Sequence, residues 1–258
     1  MVFTPNGVLR QLASLNPSKS AGPDGISPRF LRDLSAEISS MLTFIFQQGY
    51  DAGTLPNHWL TTMVVPVHKK SSKENPANYR PVSLTCLCCK VMEHIVLHNL
   101  NKHLSEKYLF SHLQHGFQAN LSCETQLVLT FHDWANTLNQ HGQVDALLLD
   151  FSKAFYKVSH TKLQHKLAHC SINGKTLAWI AAFFHNRSQF VVVSGTHSTT
   201  TPVPSGVPQG SVLGPTLFLL FIIDITQVTN SQLRLFADDA VLYTTINSLH
   251  DHQVLQED

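Results

Sequence analysis

Leu233-Arg-Leu-Phe-Ala-Asp-Asp-Ala-Val-Leu-Tyr243 sets two adjacent carboxylates, Asp238 and Asp239, inside an apolar run. A charge among aliphatic side chains is costly unless something neutralises it, and hard divalent cations do so through oxygen ligands. Leu233–Phe236 and Val241–Tyr243 read as two short strands, with Ala237–Ala240 as the tight connection that presents both aspartates at a hairpin tip. Far upstream, Val144–Leu149 reads as a third, buried strand ending in Asp150. If the three strands share a sheet, the carboxylates converge. Two metals held about 4 Å apart by shared carboxylates are an apparatus for in-line phosphoryl displacement. An isolated Asp-Asp pair is more often a solvated turn, because aspartate favours turns anyway.

The segment between the two carboxylate positions tips that balance. Pro204-Ser-Gly-Val-Pro-Gln-Gly-Ser-Val-Leu-Gly-Pro215 packs three glycines and three prolines into a short stretch ahead of the apolar run Leu217–Ile223. Gly206 and Gly210 allow close approach of a flat ligand or a nucleic-acid backbone, and the Gln209 amide can both donate and accept. Taken in order, Leu147-Leu-Leu-Asp-Phe-Ser-Lys-Ala-Phe155, Ser205-Gly-Val-Pro-Gln-Gly210 and Phe236-Ala-Asp-Asp239 resemble the reverse transcriptase of non-LTR retrotransposons of the jockey and CR1 kind. Upstream, Lys19-Ser-Ala-Gly-Pro-Asp-Gly-Ile26, Val65-Pro-Val-His-Lys-Lys70, Asn78-Tyr-Arg-Pro-Val-Ser-Leu84 and Gln114-His-Gly-Phe117 are similar to the successive fingers motifs of that family, in its order, so the resemblance covers nearly the whole chain.

The resemblance implies an RNA-directed DNA polymerase working on an RNA template, a DNA primer and deoxynucleoside triphosphates (dNTPs). It places Asp150, Asp238 and Asp239 on two Mg2+ ions, with Mn2+ as the alternative. Lys69 or Lys70 and Arg80 would hold the triphosphate; Phe151 and Phe155 would lie at the nucleotide, Phe155 under the sugar as a gate against a 2'-hydroxyl. Gln209 would touch the template-side nucleotide, and Gly206, Pro208 and Gly210 the nucleic acid. Arg80 has a physical argument of its own: the following proline restricts it to extended backbone, so its guanidinium is carried on a stiff segment. Lys69 and Lys70, with Lys73 close by, form the densest positive patch in the chain, although paired loop lysines are usually solvated. Phe155 could equally be a core aromatic.

The chain departs from the family pattern at three places. Tyr156 stands where the family has aspartate, Gln118 where it has arginine, and Ile223 where it has asparagine. Losing the charge at Gln118 would weaken contact with the template strand. The alternative function is therefore a catalytically impaired, nucleic-acid-binding remnant. A metal-dependent phosphate hydrolase would use the three carboxylates but leave the Pro-Gln-Gly turn and Phe155 unexplained.

Composition is less informative. With 258 residues, 43% of them hydrophobic, the chain can bury a substantial core. Lys+Arg number 18 against 17 Asp+Glu, so any attraction for nucleic acid must be local. His165 and His169 share a helical spacing but lack the adjacent glutamate of a zinc hydrolase. Cys86, Cys88 and Cys89 are not matched by a second pair, since Cys123 and Cys170 stand alone, and they read as free buried thiols. No signal peptide opens the chain, and Leu217–Ile223 is too short to span a bilayer of about 30 Å. An intracellular protein is expected, nuclear or in a cytoplasmic ribonucleoprotein by the resemblance, with no membrane partner.

Ile38, Met41, Leu42 and Ile45 predict a helix over Glu37–Gln48 with one buried face. Further helices are expected over Lys90–Lys107 and Thr125–Leu138, around Leu163 and Leu167, and over Leu177–Phe184. Gln189–Val193 and Thr199–Val203 should form a hairpin around Ser194-Gly195. Helices and strands intersperse without the regular alternation of a parallel doubly wound fold, so the fold class is α+β. By the resemblance it is a right-hand polymerase with an antiparallel palm sheet, fingers at about 1–87 and 161–208, palm at about 88–160 and 209–258, and the thumb missing.

Overall fold

The computed structural model describes all 258 residues and is a mixed α+β fold. Its helices are α1 (Pro5–Ala13), α2 (Pro28–Asp33), α3 (Ser35–Ala52), α4 (Leu87–Glu106), α5 (Cys123–Asn139), α6 (His160–His169), α7 (Gly174–Phe184), α8 (Gly214–Phe221) and α9 (Leu249–Glu257). Its strands are β1 (Thr61–His68), β2 (Tyr79–Leu84), β3 (Gln143–Asp150), β4 (Ser188–Val193), β5 (Thr196–His197), β6 (Thr201–Pro202), β7 (Gln232–Phe236) and β8 (Asp239–Ile246). The chain divides into two compact units, residues 1–104 with 155–217 and residues 105–154 with 218–258. No helix is long and apolar enough to cross a membrane.

In the first unit the sheet runs β2-β1-β4-β5, with β6 also on β4. β1 is antiparallel to β2 and parallel to β4. Thr4 caps α1 through a hydrogen bond from the Gly7 N–H, and Pro5 supplies a first-turn residue that needs no N–H partner. α3 ends at Gly53, whose φ of 63° is the left-handed stop that glycine takes without a Cβ clash. This helix is longer than its apolar spacing suggests, and its buried stripe differs: Ser39, Leu42, Phe46 and Tyr50 face inward, while Met41 is 58% exposed. Aromatic packing selects that stripe, because Phe3 meets Phe46 and Tyr50 edge-to-face with centroids 5.8 and 5.7 Å away. The expected hairpin also differs. β5 returns directly after Ser194-Gly195, Ser198 still bonds Val191 of β4, and after an interruption Thr201–Pro202 pairs with β4 as a separate short strand.

In the second unit three antiparallel strands run β3-β8-β7. Leu233, Leu235, Ala240, Leu242 and Leu255 form its core, with Phe151 and Ile225 packed against it. Each fully buried leucine stabilises the fold by about 2 kcal/mol relative to exposure. α5 is tied to β7 and β8 by polar groups: Asp133 accepts from Arg234 Nη2 at 2.6 Å and from the Tyr243 hydroxyl. Partial burial pushes the Asp133 carboxyl up, but those two donors outweigh it and hold it below the usual range.

The expectation that Val144–Leu149 is a buried strand is overturned. β3 is a strand, but Leu147, Leu148 and Leu149 are 43, 81 and 44% exposed. The reason is position: β3 is the sheet edge and pairs only with β8. A continuous apolar run fits a strand covered on both faces, which this edge is not. All five cysteines are free, and Cys123, unlike the other four, is exposed rather than buried.

Candidate active site

The β3–β8 register ends on Asp150 opposite Asp239. Directly opposed residues of an antiparallel pair share a face, with Cβ atoms about 5 Å apart. β7 and β8 are joined by two residues only, Ala237 and Asp238, since Phe236 pairs with Asp239. The hairpin tip is therefore tighter than the sequence suggests, and Asp239 and Ala240 belong to the strand. Asp238 is the second turn residue, and its carbonyl accepts from the Phe151 N–H at 3.4 Å, which ties the residue after Asp150 to the turn. Sheet register and turn together bring the three aspartates into one neighbourhood.

Their electrostatics are unfavourable as they stand. Burial, then the charge of Asp238, then that of Asp150, all raise the Asp239 carboxyl above the ordinary value, and nothing positive figures among these influences. Three hard oxygen donors that repel one another suit a divalent cation. No three His, Cys, Asp or Glu side chains are grouped closely enough to grip an ion without rearrangement. Phe151, beside this trio, packs on the core of the unit.

The turn has a support that sequence reasoning passed over. Ala237 adopts a left-handed φ of 55°, and both of its peptide groups meet the buried side chain of Gln114. Gln114 Oε1 accepts from the Ala237 N–H at 2.8 Å and the Gly116 N–H at 2.7 Å, and Nε2 donates to the Ala237 carbonyl at 3.1 Å. Gln118, where the resemblance expects a template-facing arginine, donates its amide to the carbonyls of Ser111 and Gln114. The motif around Gln114 thus stitches a loop onto the carboxylate hairpin.

A second group of expected site residues lies in the first unit. Gly206 and Gly210 have φ of 88° and 128°, angles at which glycine avoids a steric cost. Their use differs from the expectation of room for a ligand. A Cβ on Gly206 would lie 2.8 Å from the Tyr156 backbone, and one on Gly210 would lie 2.4 Å from the Ser83 carbonyl. The chain itself fills the space. Backbone bonds close the arrangement: Gly206 N–H to Val158, Val207 N–H to Phe155 and Ser83 N–H to Gln209, at 2.8, 2.8 and 2.9 Å.

Tyr156 stands in the middle of this loop cluster. Its hydroxyl donates to Gln209 Oε1 at 2.9 Å, with the Pro81 carbonyl also within 3.2 Å. Burial pushes the hydroxyl's pKa up, opposed by the charge of Arg80. Arg80 is exposed on β2, and Lys69 and Lys70 are exposed where β1 leads into the loop. Phe155 and Pro208 are half-buried. The start of α8 is fixed by Glu93, another residue sequence reasoning missed. Fully buried on α4, it accepts from the N–H groups of Val212 and Leu213 at 2.8 and 3.1 Å. A glutamate facing inward from an apolar helix stretch was the only hint of it.

Comparison with known proteins shows the family. The family described as reverse transcriptase (RNA-dependent DNA polymerase) matches residues 67–257. The RNA-directed DNA polymerase from mobile element jockey of Drosophila melanogaster is 28% identical, over 92% of this chain and 27% of its own length. The probable RNA-directed DNA polymerase from transposon X-element of the same fly is 27% identical, over 96% of this chain and 28% of its own length. A putative 115 kDa protein in its type-1 retrotransposable element R1DM is 26% identical, over 92% of this chain and 23% of its own length. The chain spans about a quarter of the length of these relatives.

Proposed function

Because the chain belongs to the reverse transcriptase (RNA-dependent DNA polymerase) family, we propose that it is the polymerase portion of a non-LTR mobile element and copies RNA into DNA. The observation that carries this is the β3–β8 register, which sets Asp150 opposite Asp239 with Asp238 in the adjoining turn. In this reading residues 1–87 and 161–208 are fingers, and 88–160 and 209–258 are palm. Asp150, Asp238 and Asp239 would rotate onto two Mg2+ ions, or Mn2+. Bound divalent cations would supply Lewis-acid activation of the primer 3'-hydroxyl and charge neutralisation at the α-phosphate, from which pyrophosphate leaves.

The chain's own residues do the rest. Lys69, Lys70 and Arg80 offer exposed cations to the triphosphate, the arginine through a two-pronged guanidinium. Phe155 supplies an aromatic face for the sugar. Gln209 has its oxygen committed to Tyr156, so its NH2 group is what remains to meet the template-side nucleotide, beside Pro208 and the backbone of Gly206 and Gly210. Base pairing sets the sequence copied, so little base-specific contact is required of the protein.

A second reading, a nucleic-acid-binding remnant without turnover, is favoured by one observation: Tyr156 and Gln118, where the family carries charged residues, spend their side chains on bonds within the chain. Primer extension on an RNA template with Mg2+ separates the two. Wild type should extend the primer and Asp239→Asn should fall to background. Full incorporation by Asp239→Asn would falsify the metal assignment, and primer-template binding without extension by wild type would establish the remnant.

A further inference from the structure

Ala237 is a non-glycine residue held at a left-handed φ, and it immediately precedes Asp238 and Asp239. Rotation of its backbone would carry Asp238 away and strain the pairing that sets Asp239 opposite Asp150. Left to itself an alanine avoids this angle, because its Cβ crowds the neighbouring carbonyl. Something must hold it there. Ala237 is buried, so its N–H and C=O also need partners.

One side chain answers both needs. The Gln114 amide accepts from the N–H of Ala237 and donates to its carbonyl, a two-point clip only a side-chain amide of this reach provides. The remaining acceptor site on Oε1 takes the Gly116 N–H, so three of the four capacities of the amide are used. The clip is anchored in turn. Leu235 N–H donates to the Leu113 carbonyl and His115 N–H to the Leu235 carbonyl, both at 2.9 Å. Gln126 Nε2 reaches the carbonyls of Leu113 and Leu235 at 2.9 and 3.1 Å. Gly116 lies so close that a Cβ there would stand 2.2 Å from the Ala237 nitrogen. Position 116 must stay bare for residues 114–116 to reach the turn.

We infer that Gln114 is a positioning residue of the carboxylate site: its amide keeps Ala237 left-handed and thereby aims Asp238 and Asp239 at Asp150. The inference rests on those aspartates binding divalent cations. Glutamate in its place would lose the donated bond and add a fourth negative charge beside three. Methionine would leave the N–H and C=O of Ala237 buried and unpaired.

The test uses the full chain, Mn2+ as probe followed by electron paramagnetic resonance, and hydrogen exchange of the 233–243 hairpin measured without metal. In Gln114→Met, hairpin exchange should quicken and Mn2+ affinity should fall about 10–100-fold, as when an outer support of a metal ligand is removed. Adding Ala237→Gly should recover much of both losses, since glycine takes the left-handed angle freely. Unchanged exchange and affinity in Gln114→Met would overturn the inference. So would losses that Ala237→Gly does not recover, which would make Gln114 a fold-stabilising residue only. If Gln114→Met does not fold, Gln114→Glu replaces it in the exchange measurement at pH 8, with faster exchange expected at the turn and unchanged exchange overturning the inference. Asp239→Asn is the control for the underlying reading. Should wild type bind Mn2+ no better than Asp239→Asn, the metal reading fails, and the exchange difference alone decides whether the clip holds the turn.

Discussion

Tyr156 illustrates how one side chain can tie a loop together. Where the resembling family carries a carboxylate, this chain places a phenol that donates to Gln209 Oε1. An aspartate could not donate that bond and would face the Pro81 carbonyl with a charge. Tyr156→Phe should lower stability by about 1 kcal/mol, the net worth of one hydrogen bond; Tyr156→Asp should cost more, both read from denaturant midpoints. The opposite order would mean that the hydroxyl does not hold Gln209. The glycines allow a sharper separation of causes. Gly195 and Gly206 have φ of 79° and 88°, but a Cβ meets nothing within 4 Å at the first and the Tyr156 backbone at 2.8 Å at the second. Gly195→Ala should cost about 1 kcal/mol from the angle alone. Gly206→Ala should cost about 1–3 kcal/mol more from overpacking. Equal midpoint shifts for the two would show that crowding plays no part. The special character of Gly206 and Gly210 was legible in the sequence; the reason for it was not, since only packing shows that the chain's own backbone fills the space.

Strands and helices were legible where a local pattern governed them and misread where neighbours did. The β7–β8 hairpin could be read from apolar runs flanking a polar pair, and only the register showed that Asp239 already belongs to the strand. β3 was recognisable as a strand from the same kind of run, yet its exposure depends on how many strands flank it, which composition does not encode. α5 shows the same inversion. Its buried residues are the polar Gln126 and Thr130, while Val128 and Phe131 are 67 and 58% exposed. From this polar inner face Gln126 Nε2 donates to the Leu235 carbonyl of the hairpin, while Thr130 bonds back to the Gln126 carbonyl of its own helix, contacts that no hydrophobic periodicity reports. An exposed apolar edge strand invites pairing with another chain. Leu148→Lys should therefore reduce concentration-dependent self-association in sedimentation velocity while leaving the circular dichroism spectrum unchanged. Undiminished association would place the sticky surface elsewhere.

For the molecule as a whole, a formal net charge of +1 leaves little long-range attraction for a polyanion. Binding to single-stranded RNA should then rest on a few phosphate contacts and weaken gently with salt. With no dNTP present to occupy Lys69, Lys70 and Arg80, these three cations and Lys73 are open to RNA phosphates and imply a log-log slope of about −3 at roughly −0.7 per contact. The double variant Lys69→Ala/Lys70→Ala should flatten it by about 1.4, as measured by fluorescence anisotropy across a salt series; an unaltered slope would remove both lysines from the interface. The division into two units was not visible in composition, because neither is continuous in sequence and no linker marks the crossings. By itself the sequence determined the α+β class of the fold and the family, and it singled out the three aspartates as candidates, since these rest on residue types in fixed local order. Only the tertiary structure decided that β3 lies at an edge, that Glu93 caps α8, and that Gln114 holds the turn before the aspartate pair. Each of these is a contact between residues far apart in the chain, made by side chains whose chemistry is ordinary until a partner is brought to them.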